Sequence, residues 1–196
     1  MPITYTNRKG TRYYLCEGRT KTGKPMYYFT KTVRENMVDI IPKGYEIIES
    51  INGIVSLKKI TPPLIFQKEI TIVEACLDMH PQGQDYRVEV KKKNITVYER
   101  DGENADELFD ALEATSPFPP EILKRRIGEH IEETSQFSAI LRFVLIKPEV
   151  RLFKVKRWCY QINVNHWIDI GQNGKLEPLA HKLIPLLGTD DFFDLF

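Results

Sequence analysis

The sequence predicts an α+β fold in which a small antiparallel β-module of two hairpins (residues 1–63) precedes a larger α/β-hairpin domain (residues 64–196). Three observations carry this. Paired runs of alternating apolar and polar residues flank short turns of Gly, Asn and Pro, the pattern of antiparallel hairpins. Helical periodicity begins only after residue 63 and gives the order α-β-β-α-α-β-β-β-α. Between the two parts stands Thr61-Pro62-Pro63, which neither a helix nor a central strand crosses.

In the first module, residues 11–18 and 26–33 read as one hairpin around Lys21-Thr22-Gly23-Lys24-Pro25. Residues 45–50 and 54–59 read as a second, around Asn52-Gly53, whose tolerance of positive φ predicts a type I′ turn. Past the linker, residues 64–79 place Ile65, Ile72, Val73, Cys76 and Leu77 mainly on one helical face, and His80-Pro81-Gln82-Gly83 stops that helix. Residues 86–91 and 95–100 alternate as a hairpin. Residues 105–114 form an acidic helix striped by Leu108, Phe109 and Leu112, and Ser116-Pro117-Phe118-Pro119-Pro120 breaks the chain. A helix over 121–134 follows, with Pro120 near its first turn. Residues 137–146 and 151–160 pair around Lys147-Pro148-Glu149, and 165–170 is a further strand. Gly171-Gln172-Asn173-Gly174 then turns into a helix over 176–187, and Thr189 is placed to N-cap a closing helix over 190–196.

Composition sets bounds on function. A chain of 196 residues that is 42% hydrophobic and 28% charged buries a core without a disulfide or metal staple, and is too apolar for global disorder. No apolar run reaches the length of a membrane span. Cys16, Cys76 and Cys159 are odd in number, widely spaced and without a C-x-x-C pair, which points to reduced thiols. The opening Met1-Pro2-Ile3-Thr4-Tyr5 lacks a signal-peptide layout, so the expected location is cytoplasmic. No cofactor or metal site is expected.

The net charge of +1 conceals a polarity. Residues 1–63 hold 11 Lys/Arg against 5 Asp/Glu (+6), residues 64–150 hold 11 against 17 (−6), and residues 151–196 hold 6 against 5 (+1). Either the basic module faces an external polyanion, or the basic and acidic segments face each other.

The basic module concentrates its cations among aromatics. Arg8, Lys9, Arg12, Lys21 and Lys24 interleave with Tyr13, Tyr14, Tyr27 and Tyr28 at strand spacing. Successive strand residues point to opposite faces, so one tyrosine of each pair enters a core while the other stays outside. The expected polyanion contacts are Arg8, Lys9, Arg12, Tyr14, Lys21, Lys24 and Tyr28, with phosphates on the cations and bases or sugars on the rings.

Other motifs weigh less. Gly18-Arg19-Thr20-Lys21-Thr22-Gly23-Lys24-Pro25 fits G-x-x-x-x-G-K, but Pro25 stands where a phosphate loop needs a Ser or Thr hydroxyl, and the sequence after it is strand-like. Glu129-His130-Ile131-Glu132-Glu133 on a helix reads as a solvated ion-pair face shared with Arg125 rather than a metal site. Cys159, His166 and Asp169 invite a nucleophilic triad, yet Cys159 lies between Trp158 and Tyr160 in an apolar strand, where buried structural cysteines are common. No catalytic residue is assigned. The terminus, Thr189 to Phe196, mixes acids with Phe192, Phe193, Leu195 and Phe196. It reads either as a tail that docks on a protein partner or as a short helix whose rings pack home.

The runs Thr6-Asn7-Arg8-Lys9-Gly10, Tyr13-Tyr14-Leu15, Thr20-Lys21-Thr22-Gly23-Lys24-Pro25, Ile41-Pro42-Lys43-Gly44-Tyr45, Arg157-Trp158-Cys159-Tyr160 and Pro185-Leu186-Leu187-Gly188-Thr189 resemble a family of uncharacterised bacterial proteins. The resemblance implies a bacterial, intracellular origin and brings no activity or site residue with it. The sequence thus leads to a non-enzymatic binding or accessory protein that meets a polyanion, nucleic acid first. The alternatives are a hydrolase-like enzyme with a cleft between the modules, or a protein-interaction subunit that docks through its C-terminus.

Overall fold

The computed structural model describes residues 1–102, 105–161 and 164–195. In chain order the elements are β1 (Thr4–Thr6), β2 (Arg12–Arg19), β3 (Pro25–Thr30), β4 (Tyr45–Glu49), β5 (Val55–Lys59), α1 (Gln67–Asp78), β6 (Tyr86–Lys91), β7 (Asn94–Asp101), α2 (Ala105–Glu113), α3 (Pro120–Thr134), β8 (Gln136–Lys147), β9 (Leu152–Gln161), β10 (Val164–Gly174), α4 (Leu176–Leu183) and α5 (Asp190–Phe193). Antiparallel sheets and helices stand in separate runs, which is the α+β class.

Two compact units form. One joins Met1–Thr61 to Asp101–Gln136, and the other joins Pro62–Arg100 to Phe137–Phe196. The sequence reading kept 101–136 within the second domain; in the structure that segment groups with the first. Lys9 Nζ of the Met1–Thr61 segment donates to the Ser135 carbonyl of the Asp101–Gln136 segment at 2.7 Å. Phe109, Leu123 and Ile127 of α2 and α3 bury against one another in a small core of their own.

The first unit holds a three-stranded sheet, β1-β2-β3, and a two-stranded sheet, β4-β5. β1 is absent from the sequence reading, because three residues are too few to show an alternation. Three turns in this unit share one design. In Asn7-Arg8-Lys9-Gly10, Thr20-Lys21-Thr22-Gly23 and Ser50-Ile51-Asn52-Gly53, the Gly N–H donates to the carbonyl of the first residue at 2.8–2.9 Å. Each Gly has φ between +72° and +78°. The side-chain oxygen of the first residue accepts the N–H of the residue after the Gly, at 2.8 Å for Asn7, 3.1 Å for Thr20 and 3.1 Å for Ser50. This is a turn with a left-handed Gly closing it as a bulge. It corrects the type I′ expectation at Asn52-Gly53, since only Gly53 has positive φ there.

The second unit is a five-stranded sheet in the order β10-β9-β8-β7-β6. Alternate strand residues on one face (Ile95, Val97, Leu141, Phe143, Phe153, Val155) join Val73 and Leu77 of α1 and Leu179 and Leu183 of α4 in a single core. α1 begins at Gln67. Glu69 accepts the Phe66 N–H at 2.8 Å and also receives Arg151 Nε at 2.8 Å, so one buried carboxylate caps the helix and anchors the β8–β9 turn. Gly171-Gln172-Asn173-Gly174 does not leave the sheet: β10 continues through it with a register shift between Asp169 and Asn173. Pro185 then ends the α-helical ladder, and Ile184–Leu186 tightens to a 3₁₀ turn.

Candidate functional site

The cationic ribbon is built by β2, the central strand of its sheet. Tyr14 pairs with Thr4 and Thr30, and Cys16 pairs with Tyr28. Leu15 and Cys16 are neighbours and point to opposite faces, yet both are fully buried. The sheet is therefore covered on both faces at its middle. The cations sit at the two ends of β2, about 23 Å apart at ~3.3 Å per residue.

At one end, much of the charge is already used. The Arg8 N–H donates to Glu49 at 3.1 Å and its guanidinium lies 3.7 Å from the same carboxylate. Tyr5 also donates to Glu49, and that hydrogen bond raises the phenol above its ordinary pKa. Lys9 Nζ donates to the Ser135 carbonyl at 2.7 Å, where a cation suits the C-terminus of α3. Arg12 is exposed at this end.

At the other end, Arg19, Lys21 and Lys24 are all exposed around the Thr20–Gly23 turn. A cleft of about 350 Å³ lined by Glu17, Gly18, Arg19, Asn36, Met37 and Val38 lies beside them. Tyr28 is half-buried, and its hydroxyl accepts from Asn36 at 3.1 Å. Tyr14 is half-buried on the same face as Tyr28. The run that mimics a phosphate loop is this turn between two strands, with no helix after it. The same unit contains the acidic segment 101–136, which holds 3 Lys/Arg against 10 Asp/Glu (−7).

The C-terminal residues separate. Phe192 is only 2% exposed and belongs to the core of the second unit, so it is not a docking ring. Leu195 packs against that core as well. Phe193 is 54% exposed, stacked edge-on to Phe192 at 5.6 Å, and its carbonyl accepts from Arg157 at 2.9 Å. Phe196 lies outside the described residues. Thr189 occupies the N-cap position, but its hydroxyl donates back to the Leu186 carbonyl rather than capping α5.

Cys159, His166 and Asp169 do not converge. Cys159 is buried and lies opposite His166 in the β9–β10 register, whereas Asp169, three residues on, turns to the other face. There it pairs with Lys154 and accepts the Gly171 N–H, which together hold its carboxyl below the usual range. A different cysteine meets a histidine: Cys76 Sγ lies 3.7 Å from His181 Nδ1. Sequence spacing gives no sign of this pair, which is 105 residues apart. Burial pushes the Cys76 thiol up, the opposite of an activated thiolate. His80 Nε2 meets the Leu187 carbonyl at 3.1 Å while its Nδ1 accepts the Gln82 N–H, so both ring nitrogens tie the loop after α1 to the chain near Leu187. On α3, Arg125 and Glu129 pair at 3.8 Å in a surface i,i+4 bridge. Among the described residues no group of three His, Cys, Asp or Glu side chains is placed to hold a metal ion, and no helix is long and apolar enough to cross a membrane.

No family model, curated protein or solved structure matches the chain.

Proposed function

We propose that the chain is a non-enzymatic binding or accessory protein whose N-terminal sheet contacts a polyanion, nucleic acid foremost. The observation that carries the reading is the β2–β3 turn, where Arg19, Lys21 and Lys24 are exposed and, among the described residues, enter no ion pair. Gly23 and the Thr20 hydroxyl fix the backbone that carries them, so these cations radiate from one rigid tip. Arg12 adds a more distant contact. Arg8 and Lys9 are structural cations in this reading, and Tyr14 and Tyr28 are half-buried.

Binding of this type is phosphate neutralisation with weak sequence preference and a steep dependence on salt. Filter binding of single- and double-stranded DNA and RNA at two salt concentrations tests it. Replacing Arg19, Lys21 and Lys24 together by Ala is expected to lower affinity at least tenfold at low salt and to flatten the salt slope by about 2–3. Absence of binding at low salt, or equal binding by the triple variant, removes the reading.

A further inference from the structure

One end of the five-stranded sheet gathers the β6–β7 and β8–β9 turns, the end of β10 and the starts of α1 and α4. The strand register fixes the first three: Lys91 pairs with Asn94, Lys147 with Leu152, and Gly174 with Phe153. The Leu145 N–H donates to the Lys93 carbonyl at 2.8 Å, which sets the two turns side by side. Arg151 ties the segment before α1 to them. Its guanidinium pairs with Glu69, donates to the Leu64 carbonyl at 3.1 Å and lies 4.1 Å from the centre of the Phe66 ring. Lys175, just before α4, donates to the Val150 carbonyl.

The apolar side chains of this end are uncovered. Leu64 is 49% exposed, Phe66 47% and Val150 53%, and Ile146 at the end of β8 is exposed as well. A lone exposed aliphatic is ordinary, whereas four on linked turns form a patch of the kind that marks an interaction surface. Lysines accompany it. Lys92, Lys93 and Lys147 are exposed and, with Lys68, enter no ion pair among the described residues. Lys68 Nζ lies 5.9 Å from the centre of the Phe66 ring. Together with Lys175 these lysines face only the carboxylates of Glu149 and Glu177 at this end, because Glu69 is held by Arg151 and Glu89 by Lys91.

We infer that this end of the second unit, which sets Phe66 and Val150 among Lys92, Lys93 and Lys147, lies on an anionic lipid surface. The apolar tips enter the boundary between headgroups and acyl chains, and the lysines meet the charged headgroups. A shallow apolar insertion is weak alone, and so is a handful of lysines; the two together hold a protein on a bilayer. Nucleic acid matches the lysines but gives nothing to aliphatic Leu64, Ile146 and Val150, which do not stack on bases as rings do. A contact of this kind is made at the surface and requires no spanning helix. The site is distinct from the N-terminal turn and does not rest on it.

Co-sedimentation of the full chain with vesicles of phosphatidylglycerol and phosphatidylcholine in equal parts is expected to show saturable, salt-sensitive binding. Vesicles of phosphatidylcholine alone are expected to bind at least about tenfold more weakly. Cys16, Cys76 and Cys159 are buried, so an environment-sensitive fluorophore placed on Val150→Cys reports from one site. Its emission is expected to brighten and shift to the blue on the anionic vesicles, a response that adsorption by charge alone does not give. Replacing Lys92, Lys93 and Lys147 together by Gln is expected to weaken binding about 100-fold, at roughly fivefold per basic residue near such a surface. Leu64→Ser with Val150→Ser is expected to weaken it about tenfold while thermal melting stays as in wild type, since both side chains are exposed. The Arg19, Lys21, Lys24 triple variant is expected to bind vesicles as wild type does. No binding to the anionic vesicles, binding without a change at residue 150, or wild-type binding by the Lys92, Lys93, Lys147 variant overturns the inference. A loss confined to the Arg19, Lys21, Lys24 variant moves the lipid contact to the N-terminal turn and overturns it as well.

Discussion

The two antiparallel sheets hold their cations in opposite ways. On the three-stranded sheet the unpaired cations stand on turns at the strand ends, because Leu15 and Cys16 bury both faces of the middle. On the five-stranded sheet Arg142 and Lys156 stand half-buried on the strands themselves, and Arg142 is braced by Thr96 and Trp167 on the face opposite the helices. A cation on a turn is solvated and ready for a phosphate from any direction. A cation stacked on an indole is held in one orientation. The cores differ too: that of the second unit runs through the whole sheet and three helices, while the first unit divides its apolar residues among smaller groups.

The sharpest way to break this comparison is to cut both cores. Phe153 is fully buried in the sheet core, and Phe153→Ala is expected to cost about 3–5 kcal/mol, with unfolding of the second unit at much lower denaturant. Leu15→Ala, equally buried in the first unit, is expected to cost about 2–4 kcal/mol. A denaturant titration in which Leu15→Ala is the more damaging of the two would reverse the ranking of the cores.

The C-terminus provides the next contrast within the second unit. Phe192→Ala removes a buried ring and is expected to destabilise by about 3 kcal/mol, whereas Phe193→Ala removes an exposed one and is expected to stay within about 0.5–1 kcal/mol. Thermal melts of the two variants decide it. Equal, small losses would place Phe192 outside the core and return it to the role of a docking ring.

How much of this was legible in the sequence follows from the range of each interaction. Most strands and helices were, since alternation and helical periodicity are local, and hairpins such as β6–β7 fall where Val88 and Val90 alternate against polar residues. The division of the chain was not: nothing local in 101–136 says that α2 and α3 pack on each other and group with the first module. The bulge that carries β10 through Gly171 and Asn173 was hidden for the same reason, because two glycines read as a turn unless the partner strand is known. The ribbon's cations were legible as a list but not as a geometry, for the burial of both Leu15 and Cys16 depends on segments distant in sequence. The indole pair was within reach. Trp158 and Trp167 lie nine residues apart across a hairpin, and the alternation of Lys154, Lys156 and Trp158 against Phe153, Val155 and Arg157 already assigns them to the face opposite the core.

The shared turn design sharpens the comparison at smaller scale. Gly23 and Gly53 both have φ near +77°, where a side chain costs about 1 kcal/mol. At Gly23 an added Cβ meets nothing within 4 Å, but at Gly53 it would come 2.9 Å from Asn7 Nδ2, which donates to the Gly53 carbonyl at 2.7 Å. Gly23→Ala is therefore expected to cost about 1 kcal/mol and Gly53→Ala about 2 or more, since the second also disturbs a buried asparagine that organises another turn. Equal losses in chemical denaturation would show that Asn7 yields freely.

The smallest expected effect is a change in alkaline stability traced to Tyr98. Burial first, and then donation of its hydroxyl to Glu89 at 2.7 Å, push this phenol up to about 12. In the unfolded chain a tyrosine ionises near its ordinary value of about 10. The folded state thus holds the proton more tightly, so the stabilisation is fully present below pH ~10 and is lost as pH rises from about 10 toward 12. Tyr86, raised chiefly by burial and also donating to Glu99, contributes in the same direction. Tyr98→Phe removes one hydrogen bond, worth about 1 kcal/mol at neutral pH, and leaves Glu89 with Lys91 as its partner. Its stability is expected to decline less steeply than that of wild type between pH 10 and 12, because one of the two protons that ionisation must remove is gone. Denaturation midpoints at pH 8 and 11 read this directly. Parallel declines in the two proteins would mean that Tyr98 ionises in the folded state as it does in water, and that this face of the sheet is wetter at β7 than the hydrogen bond to Glu89 implies.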